Sequence, residues 1–194
     1  MIAGIDEAGR GPLAGPVVAA AVILPRHYHH PEIDDSKRLS PGRRAKLYHT
    51  IREDALAVGL GVIEAAVIDE INILRATLRA MQEALGDLAL RPDFILIDGL
   101  NTLPLSLPQR ALIKGDGLSI SIAAASIIAK VSRDKIMEIY HRQYPRYNFM
   151  KNKGYGTEEH RRAIKEWGLC KIHRRSFRME GAAGPAESYD LFAD

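Results

Sequence analysis

Two short, uniformly apolar segments constrain the fold more than any other feature of the chain. Residues 94–97 are Phe-Ile-Leu-Ile, and residues 17–24 form a longer apolar run between Pro16 and Pro25. Such runs are typical of strands covered on both faces, as in parallel or mixed sheets with helices around them. Neighbouring segments repeat apolar residues at three- and four-residue steps, which predicts helices. We therefore expect an α/β protein with a central mixed sheet flanked by helices.

The expected elements alternate along the chain. Ser40 followed by Pro41 predicts a helix start, because serine caps helix N-termini and proline is favoured at the first helical position. Thr157 predicts another N-cap, since two glutamates follow it where the helix dipole favours negative charge. A break near Asn72 is one alternative within a long helical segment. The expected strands are residues 2–6, 17–24, 59–65, 94–97 and 110–114. One helix is expected to begin at residue 40, and three more are expected over residues 67–90, 119–143 and 157–168.

Length and composition indicate one globular domain, expected over residues 1–180. The chain has 194 residues, 46% of them hydrophobic, and one cysteine, Cys170, which excludes an internal disulfide framework and fits a reducing compartment. No signal-peptide pattern and no bilayer-length apolar run occur. We expect a cytoplasmic monomer without membrane association. Residues 181–194, rich in Gly, Ala, Pro and Ser, are expected to form a flexible tail, and the sequence identifies no protein partner for it.

Positive charge is concentrated towards the C-terminal end. The net charge is only +3, but Lys and Arg recur between Lys151 and Arg178. Such a region suits a polyanionic ligand, and the alternative is a solubilising surface.

Four carboxylates lie at the ends of expected strands, where α/β proteins place their ligand sites. They are Asp6, Glu7, Asp98 and Asp116, and each adjoins a glycine or another acid. A single acid at a strand end is most often a turn residue that accepts hydrogen bonds from backbone N–H groups. If the four converge, their repulsion raises their pKa values, and Mg²⁺ or Mn²⁺ relieves it because both ions prefer oxygen ligands. The residues alone leave these two interpretations open.

A glycine-rich turn follows the first acidic pair. Gly9-Arg10-Gly11 lets the backbone approach a sugar or phosphate closely, although such turns are common. It is not a Walker loop, because no Gly-Lys-Ser/Thr follows. Tyr155, between two glycines, is either an exposed ring that stacks on a base or sugar, or a core tyrosine flanked by turn residues.

Two further polar pairs are candidates for contact with a phosphate backbone. Ser36 and Lys37 lie in a polar, basic segment that alternatively only precedes a helix. Ser126 and Lys130 lie four apart on one helix face, which suits a phosphate contact, a packed polar pair or a Ser–Lys nucleophile. Asp134 follows Lys130 at the same spacing, which predicts a surface ion pair.

Six motifs occur in order along nearly the whole chain. They are Gly4-Ile5-Asp6-Glu7-Ala8-Gly9-Arg10-Gly11-Pro12-Leu13-Ala14-Gly15-Pro16-Val17, Asp35-Ser36-Lys37, Ile97-Asp98-Gly99, Lys114-Gly115-Asp116, Ala124-Ala125-Ser126-Ile127-Ile128-Ala129-Lys130-Val131-Ser132-Arg133-Asp134 and Lys153-Gly154-Tyr155-Gly156-Thr157. Together they resemble the bacterial ribonuclease HII family, the type 2 ribonucleases H. Six ordered motifs make this resemblance specific, whereas any one of them would not.

The resemblance implies an RNase H-like fold with a helical C-terminal portion. It implies endonucleolytic cleavage of RNA in RNA–DNA hybrids, and of duplex DNA with embedded ribonucleotides, leaving 5′-phosphate and 3′-hydroxyl ends. By motif match, the four acids would bind catalytic Mg²⁺ or Mn²⁺ ions, the glycine-rich turn would recognise the ribose 2′-hydroxyl, and Tyr155 would stack beneath a deoxyribose. Four other residues would hold the duplex backbone: Ser36, Lys37, Ser126 and Lys130.

Three rival functions are open at this stage. A 3′–5′ exonuclease also uses clustered acids, but it cannot start on a covalently closed duplex. A non-catalytic RNA–DNA-binding module would bind without turnover at any Mg²⁺ or Mn²⁺ concentration. A nucleotide-binding regulator would respond to ATP or GTP, although the absence of a Walker lysine disfavours it.

Overall fold

The computed structural model describes residues 1–33 and 39–177. Ser36, Lys37 and the expected tail at 181–194 lie outside these residues. The elements are β1 (Ile2–Ala8), β2 (Val17–Ile23), α1 (Pro41–Asp54), β3 (Ala57–Ile63), α2 (Ala65–Ile71), α3 (Ile73–Gly86), β4 (Phe94–Asp98), β5 (Gln109–Leu112), α4 (Ile120–Gln143), α5 (Phe149–Asn152) and α6 (Glu158–Trp167).

The five strands form one mixed sheet in the order β3-β2-β1-β4-β5. β2 pairs antiparallel with β1 and β3, whereas β1, β4 and β5 run parallel to one another. The register places Ile5 of β1 beside Ile97 of β4, so the next residues, Asp6 and Asp98, follow on adjacent strands. Because parallel strands end at the same edge, the sheet delivers both acids to one place. The expectation of a central mixed sheet is confirmed.

Helices cover the two faces of the sheet and bury the apolar strands. On one face, α4 packs on β1 and β2 through buried alanines and isoleucines, with α1 beside it. On the other face, α3 packs with Ala76, Ala80 and Ala84 mainly against β3 and β2. Small residues allow close approach, since a Cβ on Gly61 of β3 would overlap the carbonyl oxygen of Ala80. The sheet therefore holds its functional edge between two tightly packed helical layers.

The capping signals in the sequence are confirmed. Ser40 Oγ accepts a hydrogen bond from the N–H of Arg43, and Thr157 Oγ1 accepts one from the N–H of His160, each at 3.3 Å. The long helical segment breaks at Asn72, whose φ of +68° separates α2 from α3. The short helix α5 was not predicted, because four residues give no periodic pattern.

The helical C-terminal portion packs back onto the loop that follows β1. The backbone N–H of Gly15 donates to the carbonyl of Ile172 at 2.8 Å, and the N–H of Arg174 donates to the carbonyl of Leu13 at 2.8 Å. A single β-bridge joins Ala14 to His173. These contacts fix the C-terminal segment against the glycine-rich turn. Among the helices described, none is both long and apolar enough to cross a membrane.

Candidate active site

Three of the four predicted acids lie at the edge of the sheet where β1 and β4 end, and the fourth lies in a turn after β5. Asp6 and Glu7 lie near the end of β1, and Asp98 is the last residue of β4. Asp116 lies in the 3₁₀ turn Gly115–Gly117, which follows β5. Asp6 is only 5% exposed, whereas the other three side chains are half-buried. The deeply buried carboxylate of Asp6 thus lies near two more accessible ones, those of Glu7 and Asp98.

Asp6 carries the main electrostatic cost of this arrangement. Its pKa is raised well above 3.8, first by burial and then by the negative charges of Glu7 and Asp98. Two hydrogen bonds oppose this rise: the N–H of Glu7 donates to Asp6 Oδ1 at 2.7 Å, and the Ser126 hydroxyl donates to the same carboxylate. Glu7 and Asp98 are therefore both close enough to Asp6 to repel its charge, and a cation would relieve this repulsion.

Backbone N–H groups hold the carboxylates in their present positions. Asp98 Oδ1 accepts a hydrogen bond from the N–H of Gly115 at 2.7 Å, and Asp116 Oδ1 accepts one from the N–H of Gly117 at 3.1 Å. The turn-capping interpretation therefore describes both residues as they stand. Within residues 1–33 and 39–177, no three Asp, Glu, His or Cys side chains form a group that could already hold a metal ion. By accepting from Gly115, Asp98 also fixes the turn that carries Asp116.

A pocket of about 240 Å³ lies next to the acidic edge. Its lining contains most of the predicted site residues, which are separated by up to about 150 positions in the sequence. The residues that line it are Asp6, Glu7, Ala8, Gly9, Arg10, Gly11, Ser126, Lys130, Arg133 and Tyr155. The fold thus brings the first acidic pair, the glycine-rich turn and the tyrosine to a single cavity.

The glycine-rich turn is tightly packed on its inner side and open on its outer side. Gly9 has a φ of +96°, and a Cβ there would overlap the side chain of Arg133. Arg10 and Gly11 are exposed, and a Cβ on Gly11 would meet nothing within 4 Å. Arg10 Nη1 lies 3.5 Å from Glu7 Oε1. The turn therefore presents backbone to the pocket on its open side.

Tyr155 is an exposed aromatic residue at the edge of the pocket. It is 46% exposed, in the loop between α5 and α6, so the alternative of a core tyrosine is wrong. The Arg133 guanidinium lies 6.0 Å from the centre of its ring. The carbonyl of Gly154 accepts a hydrogen bond from the N–H of Leu13 at 2.9 Å. This bond ties the tyrosine loop to the chain just beyond the glycine-rich turn.

Ser126 and Lys130 both line the pocket but have different partners. Ser126 is buried on α4, where its hydroxyl supports Asp6. Lys130 Nζ is 2.8 Å from Asp134 Oδ1, which confirms the predicted ion pair between these residues. The ammonium group of Lys130 is therefore held by Asp134, and the hydroxyl of Ser126 is directed to Asp6. The packed arrangement accounts for Ser126 without a Ser–Lys nucleophile.

Two buried arginines, Arg133 in the pocket lining and Arg174 in contact with the loop after β1, were not predicted as site residues. Arg133 donates from Nε to the carbonyl of Pro16 at 2.9 Å, from Nη2 to that of Ala14 at 3.1 Å and from Nη1 to that of Lys153 at 2.9 Å. Arg174 makes three similar bonds to the loop after β1. Burial lowers the pKa of both, that of Arg174 to about 9 with a further contribution from the charge of Arg133. Arginines amid other basic residues gave no local signal of this role.

The sequence model of one family matches residues 3–180, and that family is ribonuclease HII. The chain belongs to the ribonuclease HII family. A ribonuclease HII of Syntrophus aciditrophicus is 69% identical to it over 180 residues, which cover 93% of this chain and 85% of the relative. The crystal structure of ribonuclease H2 from Pyrococcus horikoshii has a TM-score of 0.76 at 27% identity, covering 91% of this chain and 93% of that one.

A second solved ribonuclease HII, in a PCNA:RNase HII complex from Archaeoglobus fulgidus, has a TM-score of 0.77 at 27% identity. The match covers 94% of this chain and 97% of that one. These similarities confirm the RNase H-like fold and the prediction of an enzyme, because ribonucleases HII are endonucleases of the hydrolase class. The resemblance found in the sequence motifs is thereby confirmed.

Proposed function

We propose that this ribonuclease HII cleaves RNA in RNA–DNA hybrids and incises duplex DNA at embedded ribonucleotides. The scissile phosphodiester is the one that enters the last ribonucleotide before DNA, and the products are 5′-phosphate and 3′-hydroxyl ends. The observation that carries the proposal is the shared pocket, in which Asp6 and Glu7 lie beside the Gly9–Gly11 turn and Tyr155. The carboxylates proposed for cleavage thus lie beside the residues proposed to recognise the sugar.

The residues at the acidic edge fit divalent metal ions. Asp6, Glu7, Asp98 and Asp116 would hold Mg²⁺ or Mn²⁺, because carboxylate oxygens suit these ions and Asp6 is buried beside like charges. Bound ions would supply an activated water and stabilise the departing 3′-oxygen. Since no ready-made group of three acids occurs among the described residues, the carboxylates would exchange some present hydrogen-bond partners for the ions.

The other pocket residues would bind and orient the nucleic acid. The backbone of the Gly9–Gly11 turn would contact the ribose 2′-hydroxyl, which distinguishes RNA from DNA. The exposed ring of Tyr155 would stack against the sugar on the DNA side. Ser126 would keep Asp6 ionised and oriented, and Lys130 would reach the phosphate backbone. Contacts of Ser36 and Lys37 with the phosphate backbone of the duplex stay a prediction.

The exposed basic surface of the C-terminal portion supports a polyanionic substrate. Five Lys and Arg side chains of this region are exposed on or near α5 and α6: Lys151, Arg161, Arg162, Lys165 and Lys171. Such a surface attracts a duplex through its phosphates, whatever the base sequence. The expected cytoplasmic location, the monomer and any partner at residues 181–194 stay predictions.

The proposal is tested with covalently closed duplex DNA that contains one ribonucleotide. The protein should nick this substrate in Mg²⁺ or Mn²⁺ but not in EDTA, and the nick should carry a 3′-hydroxyl that a polymerase extends. An exonuclease would leave the closed substrate intact, and a binding module would bind it without turnover. Either result would refute the proposal.

One variant and a matched control test whether the acidic residues are needed for cleavage. Asp98→Asn should lose at least about a hundredfold in rate, although its amide oxygen can still accept the hydrogen bond from Gly115. Asp93→Asn is the control, because Asp93 is exposed just before the other end of β4 and pairs with the N-terminal amine. Full activity of Asp98→Asn would remove Asp98 from the proposed site.

A further inference from the structure

Arg174 is buried in contact with the glycine-rich turn. It is 2% exposed, and its guanidinium reaches three carbonyl groups of one loop. Nε donates to the carbonyl of Gly15 at 2.9 Å, Nη1 to that of Arg10 at 2.9 Å and Nη2 to that of Gly9 at 2.5 Å. Its planar guanidinium therefore binds three carbonyl groups of the same loop at once.

Within the described residues, no carboxylate forms a salt bridge with Arg174. The charge of Asp69 favours the charged guanidinium, but the oxygens of Asp69 accept hydrogen bonds from the N–H groups of Arg175 and Ser176. The Arg174 guanidinium lies 4.9 Å from the centre of the Phe177 ring. A buried charge without an ion pair is costly unless hydrogen bonds satisfy it, and here backbone carbonyls provide them. The shape of the loop and the position of this arginine thus depend on each other.

The bonds from Arg174 determine which way two peptide groups face. All peptide bonds in the described residues are trans, so the N–H of each unit points opposite to its C=O. The carbonyls of Gly9 and Arg10 point inward to Arg174. The N–H groups that share those peptide units, on Arg10 and Gly11, therefore point outward.

These two N–H groups lie on the open side of the turn. Among residues 1–33 and 39–177, neither the N–H of Arg10 nor that of Gly11 donates a hydrogen bond. Both residues are exposed and both line the pocket. Two adjacent backbone donors suit the oxygen of a ribose hydroxyl, which accepts as well as donates hydrogen bonds.

We propose that Arg174 is a positioning residue for ribonucleotide recognition: it binds the carbonyls of Gly9 and Arg10, and so directs the N–H groups of Arg10 and Gly11 towards the 2′-hydroxyl. The proposal rests on the proposed function, since it concerns how the same pocket reads a ribose. Arg174 itself does not touch the substrate. Its effect is on the preference for ribonucleotides rather than on general affinity for a duplex.

The first experiment measures binding without divalent ions, so that no cleavage occurs. Dissociation constants are determined by fluorescence anisotropy for an all-DNA duplex and for the same duplex with one ribonucleotide. Their ratio is independent of the active fraction of each preparation, because that fraction scales both constants equally. Wild-type protein should bind the ribonucleotide duplex more tightly.

Arg174→Lys is the informative variant. A lysine keeps the charge, but its single ammonium cannot reach three separate carbonyls as the arginine fork does. The ribonucleotide preference should fall by about tenfold, equivalent to about 1.4 kcal/mol, while affinity for the all-DNA duplex stays within about twofold. Arg79→Lys, on the exposed side of α3, is the control and should keep the wild-type ratio.

The outcomes separate this inference from the proposed function. If wild-type protein shows no preference, ribonucleotide recognition by this pocket is wrong and the role of Arg174 is wrong with it. If the wild type discriminates and Arg174→Lys discriminates equally, only the role of Arg174 is refuted. A purely structural role would weaken both duplexes in proportion and would also leave the ratio unchanged.

A second measurement needs no variant and so does not depend on the folding of one. In wild-type protein labelled with ¹⁵N, the amide signals of Arg10 and Gly11 should shift more on adding the ribonucleotide duplex than on adding the all-DNA duplex. Equal shifts with both duplexes would overturn the assignment of these N–H groups.

Discussion

Replacing Asp6 with asparagine should make the metal-free protein more stable while abolishing its activity. Asp6 is buried, and burial together with the charges of Glu7 and Asp98 raises its pKa well above 3.8. Asparagine has the same shape and carries no charge. Its oxygen can accept the hydrogen bond from the N–H of Glu7, and its amide can bond to Ser126. The variant thus removes the repulsion and keeps the local structure.

The expected gain follows from the usual effect of relieving a strained functional site. Such changes stabilise proteins by about 0.5–2 kcal/mol, and about 1 kcal/mol raises Tm by about 2–4 °C in a chain of this size. Metal should stabilise the two proteins to different extents. At ten times its dissociation constant, an ion that binds only the folded state adds about 1.4 kcal/mol, or about 3–6 °C, to the wild type. Asp6→Asn should gain far less.

The assay is thermal unfolding of both proteins in EDTA and in Mg²⁺. The variant should melt above the wild type in EDTA and below it in saturating Mg²⁺, so the order reverses. The pH dependence has a definite sign: because the folded-state pKa of Asp6 is raised, native protein binds more protons than unfolded protein above pH 3.8. Wild-type stability in EDTA should therefore fall as pH rises through the raised pKa, and the advantage of Asp6→Asn should shrink at lower pH. A variant that melts below the wild type in EDTA at neutral pH would refute the reasoning.

Three further predictions concern other parts of the molecule. Gly61→Ala should lower the free energy of unfolding by about 1–3 kcal/mol, because the added Cβ would overlap the carbonyl oxygen of Ala80. An unchanged urea concentration at the midpoint of unfolding would contradict this packing. Burial and the neighbouring His160 lower the pKa of His173 from 6.5 to about 4, so the folded state should lose stability as pH falls from about 6.5 to about 4. The Tm of His173→Gln should vary less with pH over that window, and an equal slope would contradict the role of His173. In anisotropy titrations, Tyr155→Ala should weaken binding of a ribonucleotide-containing duplex by about 1–3 kcal/mol, whereas Tyr155→Phe should bind nearly as tightly as the wild type. Equal losses of affinity in the two variants would exclude stacking as the cause.

The features predicted most accurately from the sequence depend on neighbouring residues. Ser40 and Thr157 cap helices because a side-chain oxygen reaches an N–H three residues ahead, a contact made within one turn. The break at Asn72 is likewise local. The apolar run before Asp98 is a strand inside the mixed sheet, as its uniform hydrophobicity indicated.

The roles of several site residues depended on contacts across the sheet and between distant segments. Ser126 is a partner of Asp6, which pattern reading could not separate from a phosphate contact. Tyr155 is exposed, although its glycine-flanked sequence equally suited a buried ring. Asp98 and Asp116 each accept a hydrogen bond from a backbone N–H, as the turn-capping interpretation requires, and their binding of metal stays a proposal.

The sequence by itself determined the α/β class, the capped starts of two helices, the candidate acids and the family motifs, since periodicity, capping and residue chemistry act over a few neighbouring positions. Only the tertiary structure decided that Arg133 and Arg174 are buried against the loop after β1, because their backbone partners are up to 165 positions away. Nothing in a run of basic residues distinguishes a buried guanidinium from a solvated one. That distinction arises when the C-terminal segment packs against the loop after β1, where water is excluded and carbonyl groups replace it as hydrogen-bond acceptors.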